Sequence, residues 1–227
     1  MSKLIYIADD EKNIRHLIVS FLTKEGYEAT GFETGDALYE AFVAAPCDLV
    51  ILDVMMPGSN GFTICTKLRE ISRIPIIMLT ARDTEEDYVS GISLGSDDYF
   101  TKPFSPVKLV MRIKALLRRV DMDTGGTESK DILTYGDIVV HMGKLAAYQN
   151  EIDLELTATE FNLLLYLFKN PDRAVSREEL LNSIWGYDNA VESRATDDTV
   201  KRLRRKLKNS NVLINTLWGY GFRLDKR

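Results

Sequence analysis

Cysteine is scarce: Cys47 and Cys65 are the only two among 227 residues, and no CxxC or metal-ligand spacing joins them. A disulfide scaffold or zinc module is therefore not expected, and a reduced, cytoplasmic protein is. Long hydrophobic runs are missing as well. The strongest, such as LVIL at 49–52, meet a charge within a few residues, so no apolar span of about 18 residues is there to cross a membrane. The start MSKLIYIADDE sets one lysine and a short apolar stretch before two aspartates, too little for a signal-peptide core. An overall basic excess is absent too. The 29 basic against 34 acidic side chains leave a net charge of −5, which argues against wholesale coating of nucleic acid.

What is present is ordinary in bulk and uneven in detail. Hydrophobic residues make up 45%, aromatics 9% and charged residues 28%. That is enough apolar surface to offset the ordering entropy of a folded chain, which excludes disorder as the main state. At about 100–200 residues per domain, the length suits one large domain or two small ones. Within the acidic whole, residues 199–208 (TVKRLRRKLK) carry six basic and no acidic side chains. That local asymmetry says more than the total.

The first half alternates two periods. LIYIA (4–8), YEATGF (27–32), DLVILD (48–53), PIIMLT (75–80) and DYFT (98–101) read as strands, the first as one buried on both faces. Ile14, Leu17, Ile18, Phe21 and Leu22 recur at helical spacing up to Gly26, and further helices are expected around 37–44, 61–72, 84–94 and 106–119. Five strands alternating with five helices predict a doubly wound α/β domain, its five-stranded parallel sheet covered on both sides, over residues 1–120. DMDTGGTESKD (121–131) reads as a linker. Over 132–227 the pattern changes. Strand-like alternation with Gly136, Gly143 and Asn150 at turns predicts a small antiparallel sheet. Thr157-x-x-Glu160 and Ser176-x-x-Glu179 are capping boxes that open two helices. A third helix buries Thr196, Val200, Leu203 and Leu207, and VLINTL and FRL flank a Gly-bearing turn as a hairpin. Three helices and a terminal hairpin predict a winged helix-turn-helix.

In an open parallel sheet, ligands sit beyond the carboxyl ends of the strands. Asp9-Asp10, Asp53, Thr80 and Lys102 end four of the expected strands. Three converging carboxylates repel one another and call for a hard cation, Mg²⁺ above all. The Thr80 hydroxyl and Lys102 ammonium suit phosphoryl oxygens, and a carboxylate can attack phosphorus to give an acyl phosphate. One aspartate at a strand end is usually a turn or helix cap, and Lys102 alone is a loop cation. The combination carries the reading.

ADDE (8–11), LDVMMPGSNG (52–61), LTAR (79–82) and DDYFTKPF (97–104) resemble the receiver domain of a two-component response regulator. With the winged helix, the chain resembles the OmpR/PhoB family along essentially its whole length. The resemblance implies that Asp53 is phosphorylated by a histidine kinase, and that Asp9, Asp10 and Asp53 hold Mg²⁺ with the Met55 carbonyl. It implies a cis peptide at Lys102–Pro103 and a switch pair in which Thr80 turns toward the phosphoryl group while Tyr99 rotates inward. It also implies a two-fold dimer of phosphorylated receivers through the fourth helix, fifth strand and fifth helix. Asp97, Asp98, Arg112 and Arg119 match that interface, whereas Tyr88 and Lys108 stand where a basic and an acidic residue are usual. The loop 186–193 resembles the family's polymerase-facing loop, so RNA polymerase joins the kinase and double-stranded promoter DNA as an expected partner.

With Thr196, Val200, Leu203 and Leu207 inside, 100° per residue places Asp198, Lys201, Arg202 and Arg205 on the opposite face, flanked by Arg204 and Lys208. Such a helix reads base edges in the major groove and grips phosphates with its flanks. Arg202 is expected to read bases and Arg204 to hold phosphate. Trp185 and Arg194 resemble family phosphate contacts, and Thr199 completes the candidate set. The hairpin departs from the family at Trp218, where an arginine is usual before the turn glycine.

The function expected is a phosphorylation-controlled DNA-binding transcriptional regulator, whose chemistry is confined to self-phosphorylation and dephosphorylation at Asp53. An Asp-nucleophile phosphatase would share the carboxylate–Mg²⁺ chemistry, but Met55 occupies the second position of its DxD pattern. A constitutive DNA-binding regulator with a little-used receiver is the other reading, against which the full set of pocket residues argues.

Overall fold

The computed structural model describes residues 2–81, 95–121, 132–185 and 193–227, and the chain divides into two units, residues 1–117 and 118–227. In the first, β1 (Leu4–Ala8), β2 (Glu28–Phe32), β3 (Leu49–Asp53), β4 (Ile76–Ala81) and β5 (Asp98–Lys102) form one sheet in the order β2-β1-β3-β4-β5. Every pair is parallel. The period of two along these apolar strands divides the core. Tyr6, Val50, Leu52, Ile76 and Met78 join Leu38 and Phe42 of α2 (Gly35–Ala44) and Ile64 and Leu68 of α3 (Gly61–Ile71) in one cluster. Their neighbours Ile5, Ile7, Leu49, Ile51, Ile77 and Leu79 join Ile18 and Leu22 of α1 (Lys12–Lys24) and Leu109, Ile113 and Leu116 of α4 (Pro106–Asp121) in the other. Each such side chain, fully buried, stabilises the fold by roughly 1.5–3 kcal/mol before entropy is counted.

Side chains cap the starts of α2 and α3, whereas α1 begins without one. Thr34 Oγ1 accepts from Ala37 N and Asn60 Oδ1 from Thr63 N. Two details differ from the sequence reading. Leu17 fits the helical spacing of α1 yet stays exposed, because the stripe that meets the sheet is the narrower Ile18–Leu22 row. The last helix continues to Asp121, past its expected end at 119. The helix expected at 84–94, the linker from 122 onward and the loop at 186–192 lie outside the described residues.

The second unit opens with the four-stranded antiparallel sheet β6 (Ile132–Tyr135), β7 (Ile138–His141), β8 (Ala146–Gln149) and β9 (Ile152–Asp153). Next comes α5 (Ala158–Phe168), whose capping box forms in both directions: Glu160 N donates to Thr157 Oγ1 and Thr157 N to Glu160 Oε2. Ser176 caps α6 (Arg177–Leu180), which passes into a wider π-type turn, Leu181–Trp185. The third helix is α7 (Ser193–Lys206), and β11 (Val212–Leu217) and β12 (Gly221–Lys226) make the hairpin. A short strand absent from the sequence reading, β10 (Val175–Ser176), pairs with β12. Two residues are too few for periodicity to register. Phe161, Leu164, Leu167, Leu180, Ile184, Trp185, Val200, Leu203 and Phe222 pack into one core.

Candidate functional site

The carboxyl ends of β1, β3 and β5 bring Asp9, Asp10, Asp53 and Lys102 together. Carboxylate oxygens of Asp9, Asp10 and Asp53 lie within 4.8 Å of one another. Asp9 and Asp53 are 0% and 3% exposed, whereas Asp10 faces solvent. Lys102 Nζ stands 2.9 Å from Asp9 Oδ2, 2.8 Å from Asp53 Oδ2 and 3.2 Å from Glu11 Oε1. The Lys102–Pro103 peptide is cis.

Three carboxylates thus share one ammonium, with Asp10 close by. Burial pushes the Asp9 and Asp53 carboxyls above their ordinary range, and Lys102 pulls them back only in part. Each also feels a second carboxylate, Asp53 acting on Asp9 and Asp10 on Asp53. For Lys102, burial disfavours the charged form, but Asp53 and Asp9 outweigh it and hold its pKa up. The pocket is therefore short of positive charge while its lysine stays charged. That donor set, hard oxygens around a deficit of cation, fits Mg²⁺ bound with several waters.

Two further side chains shape the pocket. Arg15 Nη1 donates to the main-chain carbonyls of Asp9 (2.5 Å) and Asp10 (3.3 Å), tying the β1–α1 corner to α1. Asp36 Oδ2 accepts from Ser59 N (3.1 Å) and holds the loop after β3. Neither had a sequence signal, since each acts on main chain that only the fold brings near. Gly61 opens α3 against the end of β3: a Cβ there would lie 2.1 Å from the Asp53 carbonyl oxygen. Met55 N donates to Asp53 Oδ1 at 3.4 Å, and the Met55 side chain is exposed.

Thr80, the last residue but one of β4, is buried, its Oγ1 donating to the Ala81 carbonyl at 3.2 Å. The Tyr99 ring is also buried, in the cluster that holds Ile76 and Met78.

Three of the expected dimer residues are buried within the receiver. Asp97 is buried and takes Arg69 Nη2 at 2.7 Å and Ile76 N at 3.0 Å. Asp98 and Arg112 are buried as well and pair with each other. Lys108 is exposed on α4, next to the exposed apolar side chains Val107 and Met111. Tyr88 and the Arg119 side chain lie outside the described residues.

On α7 the expected buried stripe is in place: Thr196, Val200, Leu203 and Leu207 are all inside. The reading face is not as expected. Arg202 is 6% exposed, with Nε 3.0 Å from Glu160 Oε1, and Lys206 Nζ holds the other carboxylate oxygen at 2.7 Å. Thr199 is buried, its hydroxyl donating to the Ala195 carbonyl (2.8 Å) and accepting from Arg202 Nη2 (3.3 Å). Trp185 is 2% exposed within the core. Helical spacing alone placed Arg202 opposite the core, but the neighbouring helix α5 offers it an ionised Glu160 and closes over it. In this structure these three side chains are packed and anchored within the domain. Lys201, Arg204, Arg205 and Lys208 remain on the exposed side. Arg204 reaches back to the hairpin, donating from Nε to the Ile214 carbonyl (2.8 Å) and from Nη2 to Thr216 Oγ1 (2.7 Å). Asp197 is matched by a two-pronged pair with Arg177, both contacts 2.9 Å. The Arg194 side chain lies outside the described residues.

Comparison with known proteins agrees with both halves. Residues 5–114 match the response regulator receiver domain, and residues 150–224 the C-terminal domain of transcriptional regulatory proteins. The chain is 41% identical over 224 residues to the uncharacterized transcriptional regulatory protein YclJ of Bacillus subtilis, covering 98% of this chain and 99% of that one. Among solved structures, a mutant of RitR aligns over 100% of both chains with a TM-score of 0.77 and 25% identity. DrrB, an OmpR/PhoB homolog of Thermotoga maritima, covers 98% of this chain and 99% of its own, with a TM-score of 0.50 and 30% identity. A parallel sheet ending on a carboxylate pocket, a winged helix with a basic face, and matches spanning the whole chain lead to one conclusion: the chain belongs to the OmpR/PhoB-type response regulators, the DNA-binding transcriptional regulators of two-component systems.

Proposed function

We propose that Asp53 is the phosphoacceptor and that its phosphorylation by a sensor histidine kinase promotes binding to promoter DNA in the cytoplasm. The observation that carries this is the approach of Lys102 Nζ to both Asp53 and Asp9 at the mouth of three clustered aspartates. An Asp53 carboxylate oxygen attacks phosphorus while the bond from phosphorus to the kinase's imidazole nitrogen breaks and that nitrogen leaves with the electron pair. Asp9, Asp10 and Asp53, with the Met55 carbonyl, would hold Mg²⁺, which when bound neutralises charge on the phosphoryl oxygens. Lys102 then moves from pairing carboxylates to holding a phosphoryl oxygen. The Thr80 hydroxyl exchanges the Ala81 carbonyl for another, with Tyr99 packed behind it. Later attack by water on phosphorus returns the free carboxylate, and no other turnover belongs to the chain.

In the DNA-binding half, Lys201, Arg204, Arg205 and Arg194 are the candidate contacts, and RNA polymerase is the further partner. The receiver pairs two-fold when phosphorylated, through the α4 face that carries Val107, Lys108 and Met111. Incubation of the full chain with a small-molecule phosphodonor and Mg²⁺, followed by intact-mass measurement, tests the phosphoacceptor. One phosphoryl increment is expected, removed by chelation of Mg²⁺ and by Asp53→Asn. Persistence of the increment in Asp53→Asn would reassign the site.

A further inference from the structure

The loop that joins β3 to α3 is held by a helix that supplies no candidate ligand. At its base Val54 N donates to the Leu79 carbonyl (2.8 Å) and Gly61 N to the Val54 carbonyl (3.0 Å). Its crown is fastened to the first turn of α2. Asp36 Oδ2 accepts from Ser59 N at 3.1 Å, and the Ser59 hydroxyl and amide hold the Asp36 carboxyl below its ordinary range. The other oxygen, Oδ1, meets Lys67 Nζ of α3 at 3.5 Å, and that ammonium also lies over the Tyr39 ring of α2. Beside Ser59, Gly58 has a φ of +81°, and a Cβ there would come 3.0 Å from Asp36 Oδ2. Met56 turns inward: its side chain is buried, and a Cβ on Gly35 would lie 3.1 Å from its Cε.

An aspartate in a first helical turn is ordinary helix chemistry, since it meets the positive end of the dipole. That accounts for Asp36 on α2 but not for its grip on a loop of another element. The loop is also where a grip has consequences. The proposed carboxylate ligands Asp9, Asp10 and Asp53 stand at or next to the ends of β1 and β3, where the parallel sheet sets their places. Met55, two residues past Asp53, offers its main-chain carbonyl instead. Such a carbonyl has no side-chain torsion to adjust, so its direction is that of the loop. A loop already fixed in the ligating conformation spares the ordering entropy that a free one loses on binding.

We propose that Asp36 is a positioning residue for the cation site: by binding Ser59 it fixes the β3–α3 main chain, and with it the Met55 carbonyl. The proposal rests on the reading of Asp53 as a Mg²⁺-dependent phosphoacceptor with Met55 as a main-chain ligand. Asp36 acts through Ser59, so it governs affinity for the cation and leaves the transfer itself alone.

The test titrates Mg²⁺ into the full chain, reads its dissociation constant from amide chemical shifts, and times phosphorylation by a small-molecule donor across the same concentrations. Asp36→Ala should weaken Mg²⁺ binding about tenfold, the lower end of the range for groups that orient a metal ligand. At saturating Mg²⁺ its phosphorylation rate should match wild type, the split expected when only binding is lost. Asp36→Asn keeps an oxygen for the Ser59 amide and should retain most of the affinity. Gly58→Ala, which sets a methyl group against Asp36, should reproduce Asp36→Ala, and the double variant should bind no more weakly than either alone. Melting in chelator controls for the fold. A lower midpoint in Asp36→Ala with wild-type Mg²⁺ affinity would reduce the contact to support of α2 and overturn the proposal. Equal losses in Asp36→Asn and Asp36→Ala would overturn it too, because charge near the site, and not the bond to Ser59, would then be the cause. So would additive losses in the double variant. Should wild type bind no Mg²⁺, or Asp53→Asn take up the phosphoryl group, the reading of Asp53 fails first and the proposal with it.

Discussion

Under the proposed chemistry Asp9 and Asp53 carry opposite demands, since each would have to be ionised to bind metal or attack phosphorus, yet burial raises both carboxyl pKa values. A carboxyl whose folded pKa lies above its unfolded value favours the fold at low pH, and that contribution is lost as pH rises through the raised folded value. The metal-free receiver is therefore under electrostatic stress at neutral pH. Asp9→Asn should raise the melting midpoint of the metal-free protein at pH 7 by several degrees, on the scale of roughly 4–8 °C per kcal/mol for a domain of this kind. The gain should vanish well below pH 4, where both carboxyls are protonated in either state. Saturating Mg²⁺, at about 100 times its dissociation constant, should add about 2.7 kcal/mol to wild type and little to the variant. Calorimetry with and without chelator checks both; a variant that melts lower without metal would contradict the account. These pocket residues were legible because each ends an apolar strand, so topology alone brings them together. Arg15 and Asp36 were not, because their targets are carbonyls and amides of other segments.

At the scale of the element, α7 shows where helical periodicity stops being informative. It placed Thr196, Val200, Leu203 and Leu207 inside correctly, since one apolar stripe needs only one helix. The fate of Arg202 depends on Glu160, 42 positions earlier, and no period within α7 contains that fact. The Glu160 carboxyl is held below its ordinary value of 4.5: burial opposes the charge, but Lys206 and Arg202 outweigh it. The stabilisation is thus complete above pH 4.5 and is lost as pH falls through the lower folded value. Arg202→Ala should destabilise the second unit by about 3–5 kcal/mol, the range for breaking a buried pair, and abolish DNA binding by unfolding rather than by relaxed sequence choice. Arg205→Ala should leave the melting midpoint unchanged and weaken DNA binding, with a salt slope shallower by about one if its partner is a phosphate. Thermal unfolding alongside DNA titration separates the two, and a stable Arg202→Ala with altered specificity would restore Arg202 to the reading face.

For the whole molecule, the question is how a charge added to one unit changes what the other does. Within the single chain, Asp97, Asp98 and Arg112 are buried with partners of their own. Among the described side chains of α4, Val107, Lys108, Met111 and Lys114 are exposed. A two-fold contact uses each patch twice, so Met111→Glu places two new charges in the interface. That variant should accept a phosphoryl group normally and remain monomeric in sedimentation; dimerisation unaffected by it would move the interface elsewhere. The coupling itself is tested most directly by DNA affinity. The wild-type chain and Asp53→Asn are each titrated against one selected duplex, before and after treatment with phosphodonor and Mg²⁺. The account predicts that treatment tightens binding by wild type and leaves Asp53→Asn at the untreated value. Equal affinity in all four measurements would contradict it and make the chain a constitutive DNA-binding regulator whose receiver plays no part.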